Sequence, residues 1–441
     1  MTYAEAVARL LALRGGEHAG MRPGLERIDG LLDALDHPES RYRLVQVGGT
    51  NGKGSVAAML ATMLKCAGLR AGLYTSPHLV SFRERIRVNG DPISEDGVVD
   101  GVEAAGTLVA RLDATMFEAT TAVALDHFAR ERVDVAVLEV GLGGRLDSTT
   151  VGTPAAVVVT RIDLDHQAWL GGTLGEIAAE KAAIIRPGVA IAVTAAQAPE
   201  AEAVVVRHAA GAGVPLLMHG RDLRVDVKSR TLGGQRVDCA GRGWRLDDLC
   251  LSMLGTFQPG NALLAVATAR ELGVAESAIR DGLERTLWPG RFHVIGADPW
   301  IVLDGAHNPA GARALAASLD EVFGKRPVTT IAGILRDKDA RGILAALASC
   351  SDRIILTPFA SPRCADPRAL AAMVPPGARA EVADSVADAL DRALGAGRAP
   401  VVCVAGSLAL VGEAMSRLAG GDDNPCPIEK GTASMGPRPS R

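Results

Sequence analysis

At 441 residues the chain is long enough for two domains, each with a full core. Hydrophobic residues make up 48% of it but Phe, Trp and Tyr only 3%, so the core must be aliphatic, as suits a buried parallel sheet covered by helices on both faces. The formal net charge of −4 gives no long-range attraction to nucleic acid or anionic membrane, and no apolar run approaches the ~18 residues of a membrane span.

Residues 4–14 and 25–35 have the apolar spacing of two short helices, with the loop Met21–Arg27 leading into the second. Residues 44–64 then change character. The apolar strand Leu44-Val45-Gln46-Val47 runs into Gly48-Gly49-Thr50-Asn51-Gly52-Lys53-Gly54-Ser55, and an Ala- and Leu-rich helix follows. Glycines let backbone N–H groups converge on an anion, a helix start adds its positive dipole end, and Lys53 brings mobile charge. Ser55 places a hydroxyl where a phosphate-bound Mg²⁺ would sit. A lone glycine-rich turn would be read as an ordinary strand-to-helix connection; strand, lysine, hydroxyl and helix together point to phosphate. The loop departs from the common G-x-x-x-x-G-K-[ST] form, being one spacer shorter and carrying Gly54 between Lys53 and Ser55.

Further along, Arg70–Thr75 reads as a strand ending at Ser76-Pro77-His78, and 84–90 alternates like an exposed strand closed by Asn89-Gly90. Residues 95–112 and 117–130 are expected to be helical, and 134–140 and 155–160 to be parallel-type strands. Residues 214–250 look like a small antiparallel insertion, followed by a helix over 261–272. A second strand–helix series starts at Trp300 and continues through strands at 328–332, 353–357 and 401–405. The expected architecture is a P-loop-containing, doubly wound, mostly parallel sheet over 1–288, a linker at 289–297, and a smaller Rossmann-like α/β domain over 298–419.

The final stretch, 420–441, has no periodicity and is expected to be disordered. Deleting it should change neither melting temperature nor activity, because it cannot bury enough apolar area to offset its ordering entropy. A melting temperature lowered by several degrees would show that it docks on the body. Seven scattered cysteines without C-x-x-C spacing read as reduced thiols, not disulfides or zinc ligands. With an N-terminus lacking the regions of a signal peptide, this makes a cytoplasmic protein the expectation.

Open α/β sheets bind ligands beyond the carboxyl ends of their strands. Ser76 and Glu139 fall at such ends, His166 follows the strand 155–160, and Lys181 lies on the next helix. A hydroxyl, a carboxylate and an imidazole beside a triphosphate could hold one or two Mg²⁺ ions, which take few protein ligands. By residue type alone the bland alternatives stand: an ion-paired or capping Glu139, a hydrogen-bonded His166, a solvated Lys181. Asp304, at a strand-to-helix junction, could simply cap the helix after it.

The run Gly49–Ser55 with Tyr74-Thr75-Ser76-Pro77-His78-Leu79 resembles the folylpolyglutamate synthase / dihydrofolate synthase family, relatives of the Mur ligases. Leu138–Asp147 resembles that family's acidic motif, Leu164–Gly171 its histidine motif, and Glu180-Lys181-Ala182 its lysine motif. Asp304-Gly305-Ala306-His307-Asn308-Pro309 resembles its C-terminal Asp-x-Ala-His-Asn-Pro motif. The resemblance spans about residues 20–415 and implies an ATP-dependent ligase that adds L-glutamate to dihydropteroate and to the γ-carboxylate of folates. It implies Mg²⁺ on Ser76, Glu139 and His166, a carbamylated Lys181, and a monovalent cation. ATP contacts would fall on Thr50, Asn51, Gly52, Lys53, Gly54, Ser55, Asn261, Arg291, Asp304 and His307. Pterin contacts would fall on Arg22, Pro23, Gly24 and Leu25, on Thr115, Met116, Phe117 and Glu118, and on Leu146, Asp147 and Ser148. Asp147 is the expected hydrogen-bond partner of the ring.

A departure occurs at Asp147-Ser148-Thr149-Thr150, where a common family form has Asp-Ala-Thr-Asn. The family's members are often monomers, and no nucleic-acid or membrane partner is expected. Two rivals differ in testable ways. A ligase adding amino acids to a nucleotide-linked peptide would turn over a different acceptor. A P-loop switch or motor would hydrolyse ATP without glutamate or folate.

Overall fold

The computed structural model describes residues 1–13, 24–395 and 397–420. Arg22, Pro23 and nearly all of the expected disordered tail lie outside them. The chain divides into two compact units: Met1–Met253 with Phe257–Trp288, and Leu254–Thr256 with the chain from Pro289.

The first unit opens with helices α1 (Tyr3–Leu11) and α2 (Glu26–Ala34). Strand β1 (Arg43–Gly48), helix α3 (Lys53–Cys66) and strand β2 (Ala71–Tyr74) follow. Next come β3 (Ile86–Val88), β4 (Asp91–Pro92), α4 (Glu95–Arg111), α5 (Met116–Arg130), β5 (Val135–Glu139) and β6 (Ala156–Val159). A short α6 (Gln167–Leu170), α7 (Leu174–Ala182), β7 (Ile191–Thr194), α8 (Pro199–Ala212) and β8 (Leu216–Met218) lead to an excursion. That excursion is β9 (Arg224–Thr231), β10 (Gly234–Gly241) and β11 (Trp244–Leu251), and the unit ends with α9 (Gln258–Glu271) and α10 (Glu276–Arg285).

Among the described residues, eight strands form one sheet in the order β4-β3-β2-β5-β1-β6-β7-β8. All neighbours are parallel except the β2–β3 and β3–β4 pairs. Its central strands β5, β1 and β6 are buried on both sides except at Arg43, as suits runs of Val, Leu and Ala interrupted only by Gln46 and closed by Glu139. One face packs on α3, α9 and α10, the other on α1, α2, α4 and α5 near β2 and β5 and on α7 and α8 beyond β6.

The expected strand 84–90 shrinks to three residues. Its first half is a 3₁₀ turn in which Glu84 accepts from the Ser81 N–H, and Arg85 is buried rather than exposed. The antiparallel insertion starts at Arg224, because the residues just before it form β8 and extend the main sheet. Its inner side chains, among them Val237, Leu246 and Leu249, pack with α9 and α10.

The second unit carries β12 (His293–Ile295), β13 (Trp300–Leu303), α11 (Pro309–Phe323), β14 (Val328–Ala332), α12 (Ala340–Ala348) and β15 (Arg353–Leu356). It continues with α13 (Pro367–Ala371), β16 (Ala380–Val382), α14 (Val386–Leu394), β17 (Val401–Ala405) and α15 (Leu408–Leu418). The sheet order is β12-β13-β17-β14-β15-β16, parallel but for β12 against β13. Residues 289–297 were expected to be a linker; β12 lies inside that stretch and belongs to this sheet. Leu254–Thr256 belongs to this unit as well: the Thr256 N–H donates to Ser318 Oγ on α11 at 2.9 Å, and the two hydroxyls are 3.1 Å apart. No helix among the described residues is long and apolar enough to cross a membrane.

Candidate active site

The loop between β1 and α3 is locked before any ligand arrives. Thr50 and Asn51 N–H groups donate to the Arg161 carbonyl at 2.9 and 3.2 Å, and the Thr50 hydroxyl donates to the Asp163 carbonyl. The amides left to face an anion are those at Gly52 and along the first turn of α3. Gly52 must be glycine twice over: its φ is +97°, and a Cβ there would lie 2.4 Å from Asn261 Oδ1. Asn261 donates to Gln258 Oε1, and Gln258 donates to the buried Ser55 hydroxyl at 3.2 Å. The first turn of α9 is thereby tied to the loop, and the two sequence-predicted groups Ser55 and Asn261 come together. Lys53 Nζ curls back onto the Gly49 and Thr50 carbonyls at 3.2 and 3.1 Å.

Glu139 ends β5 beside this loop. Its Oε2 accepts from the Ser76 N–H at 3.3 Å and lies 3.5 Å from where a Cβ on Gly54 would stand. Lys181, in the last turn of α7, is 3% exposed, and its Nζ donates to the Gly49 carbonyl at 3.0 Å. It is not a solvated helical lysine. Gly144 and Arg145 seat against this helix end, with the Arg145 N–H on the Glu180 carbonyl at 3.1 Å. His166 takes a left-handed conformation (φ +52°) and, with its N–H on the Asp165 carboxylate, opens α6. Its ring is one-third exposed, with Nε2 3.8 Å from Asp165 Oδ2. Ser76, Glu139 and Ser55 offer hard oxygen donors at one end of the sheet, which fits Mg²⁺ better than a soft metal.

The candidate pterin residues that the structure describes gather around the first turns of α5. Thr115 and Glu118 form a reciprocal cap, and Glu118 also accepts from Arg27 Nε through both oxygens, at 3.0 and 3.1 Å. Arg27 further reaches the Gly24 carbonyl. Leu25 starts α2 and Met116 is buried in the first turn of α5. Phe117 lies where a Cβ on Gly141 would stand only 2.4 Å from its ring, so that glycine admits the aromatic. Ser148 Oγ is 2.7 Å from Thr121 Oγ1, and Leu146 is half-buried beside it.

Asp147 behaves differently from the expectation. One oxygen accepts from the Gly141 and Leu142 N–H groups at 3.0 and 2.9 Å, the other from the Thr149 N–H and hydroxyl at 3.0 and 2.5 Å. Its carboxylate is occupied in closing its own loop, and burial raises its pKa against these hydrogen bonds. Asp147→Ala should therefore cost about 3 kcal/mol in denaturant unfolding, through four orphaned donors as well as any lost ligand contact. Thr150, at the departure from the family form, donates to the Gly144 carbonyl and accepts from Gln46 Nε2 at 2.7 and 2.8 Å. It serves the same loop.

In the second unit, Asp304 is buried and accepts from the Phe292 and Ala306 N–H groups at 2.7 and 2.8 Å. Burial pushes its pKa up, opposed chiefly by the charge of Arg291. It does not cap the following helix: Asn308 does, accepting from the Gly311 N–H at 2.8 Å. Asp304 instead clamps the turn carrying Arg291 to the turn carrying His307. The His307 Nδ1 carries a proton and donates to the Gly305 carbonyl at 2.8 Å. Residue-type reasoning missed Asp163, which braces Thr50 and Asn51, and Trp288, whose indole nitrogen lies 3.0 Å from a Cβ built on Gly54. Nothing local to either residue signals these contacts.

Residues 47–269 match the family model of the Mur ligase middle domain, and 290–408 that of the Mur ligase glutamate ligase domain. The chain is 38% identical over 375 residues to a folylpolyglutamate synthase of Lacticaseibacillus casei, covering 81% of this chain and 86% of that protein. It is 37% identical over 358 residues to the dihydrofolate synthase/folylpolyglutamate synthase of Bacillus subtilis, covering 78% and 83%. Its fold is similar to that of Escherichia coli FolC solved in complex with DHPP and ADP, with a TM-score of 0.87 at 32% identity over 95% of this chain and 98% of that one. With motifs, sheet order and relatives in agreement, the chain belongs to the Mur ligase family, among its folylpolyglutamate and dihydrofolate synthases.

Proposed function

We propose that this chain is an ATP-dependent amide ligase that joins L-glutamate to dihydropteroate and to the γ-carboxylate of reduced folates. The observation that carries the reading is the meeting of Lys53, Ser55, Glu139, Ser76 and Lys181 around one loop at the carboxyl end of a parallel sheet. Bound ADP and DHPP in the Escherichia coli relative support nucleotide and pterin substrates of this kind.

In this reading the acceptor carboxylate attacks the γ-phosphorus of ATP, giving ADP and an acyl phosphate. The amine of glutamate then attacks the acyl carbon, and phosphate leaves as the amide forms. Lys53 and the amides from Gly52 to Ser55 stabilise charge on the transferring phosphoryl group. Ser76, Glu139 and His166 would hold one or two Mg²⁺ ions, which when bound neutralise phosphate charge. Lys181 and Lys53 share the Gly49 carbonyl. Two ammonium groups so placed repel, and carbamylation of Lys181 would replace that repulsion by attraction. Asn261, Arg291, Asp304 and His307 are the further nucleotide contacts. Gly24, Leu25, Phe117, Leu146 and Ser148 are the pterin contacts, with Asp147 and Glu118 holding their frame.

The test is ADP release with dihydropteroate and then with tetrahydrofolate, each with and without glutamate. Release that requires both acceptor and glutamate is expected. Release indifferent to both would leave a simple nucleoside triphosphatase.

A further inference from the structure

Trp288 closes the first unit, half-buried, and two contacts define its place. Arg87 stacks on one side, its guanidinium carbon 5.8 Å from the ring centroid. That guanidinium is itself fixed by the Glu84 and Gly90 carbonyls, both at 3.2 Å. The pyrrole edge of Trp288 faces the start of α3. A Cβ on Gly54 would find Trp288 Nε1 at 3.0 Å, Glu139 Oε2 at 3.5 Å and Trp288 Cε2 at 3.6 Å.

Direction follows from helix geometry. A Cβ on Gly54, in the first turn of α3, leaves the helix with a tilt toward its amino end, and the neighbours it would meet, the indole nitrogen and the Glu139 carboxylate, flank the phosphate loop. Among the described residues the indole N–H has no acceptor. An N–H donor is therefore held against the phosphate loop, near the Glu139 carboxylate and the helix start, with no acceptor among the described residues. Gly54, the residue that sets this loop apart from the common form, is what leaves it room.

We propose that Trp288 donates its indole N–H to the γ-phosphoryl group of bound nucleotide, and that Gly54 is glycine so that this indole can reach it. The contact would serve binding and orientation of the group to be transferred. It rests on the assignment of the loop around Lys53 to a triphosphate.

Calorimetry with ADP and with a β,γ-methylene analogue of ATP separates the two claims. Trp288→Phe keeps a ring and removes the donor. It should weaken the analogue by roughly ten- to a hundredfold, the range for a hydrogen bond to a charged group, and leave ADP unchanged. Equal loss for both ligands, or none, would overturn the proposal. Lys53→Ala should weaken both ligands; unchanged binding of both would overturn the loop assignment itself. If Trp288→Phe fails to fold, Gly54→Ala keeps the question open to test. Its methyl group would stand 3.0 Å from the indole nitrogen, pushing it by a few tenths of an ångström, and should reduce the preference for the analogue over ADP that the contact gives. A preserved preference would count against the indole contact. In a folded Trp288→Phe background the added methyl should have little further effect, since the 3.0 Å contact is gone and the ring atom at 3.6 Å is an ordinary neighbour.

Discussion

Lys53→Ala is expected to abolish ligation while the protein still melts as a folded body. Lys53 supplies mobile charge to a loop whose other donors are fixed amides, and its Nζ rests on two loop carbonyls within one side chain's reach of an incoming phosphate. Losing one preorganised electrostatic donor costs about 3 kcal/mol or more, which alone lowers turnover over a hundredfold. Steady-state ADP release and a thermal melt on the same preparation decide the matter. Near-wild-type turnover would remove the loop from the mechanism.

Lys181→Ala should be nearly as damaging and, unlike Lys53→Ala, open to chemical repair. A bare ammonium beside Mg²⁺ would repel it; a carbamate presents an anion to the ion and to the incoming amine. Burial of Lys181 at 3% exposure leaves a protected space once the side chain is truncated. A short carboxylic acid such as acetate can occupy that space and should restore part of the activity near neutral pH. Carbamates are lost in acid, so denaturing mass spectrometry would miss the group. An unmodified Lys181 in a density map of active, metal-bound enzyme would refute the idea.

What could be read from the residues followed how local each signal was. Strand, glycines, lysine, hydroxyl and helix fall within about twenty residues, and the apolar run ending in Glu139 is equally self-contained. The strands β7, β12 and β16 were not anticipated; they sit away from the sheet centres, and each is defined by its pairing with a neighbouring strand. Asp147 shows the opposite difficulty. Its type and motif pointed to a ligand, yet four donors from its own loop claim its oxygens, and residue identity does not tell which way a carboxylate in a glycine-rich turn will face. For Trp288, the contact with Gly54 joins distant parts of the chain. Asp304 was ambiguous between cap and ligand contact until Asn308 was found capping the helix.

The chain crosses between its two units at residues 253–254, 256–257 and 288–289, not once. A protease cutting after Trp288 would therefore nick the molecule without excising an intact C-terminal body. A fragment beginning at Pro289 would leave Thr256 behind, and the buried Ser318 hydroxyl would lose both its amide and its hydroxyl neighbour. Anyone dissecting this enzyme into halves should carry Leu254–Thr256 along with the second, or expect that half to be weaker than it is within the whole chain.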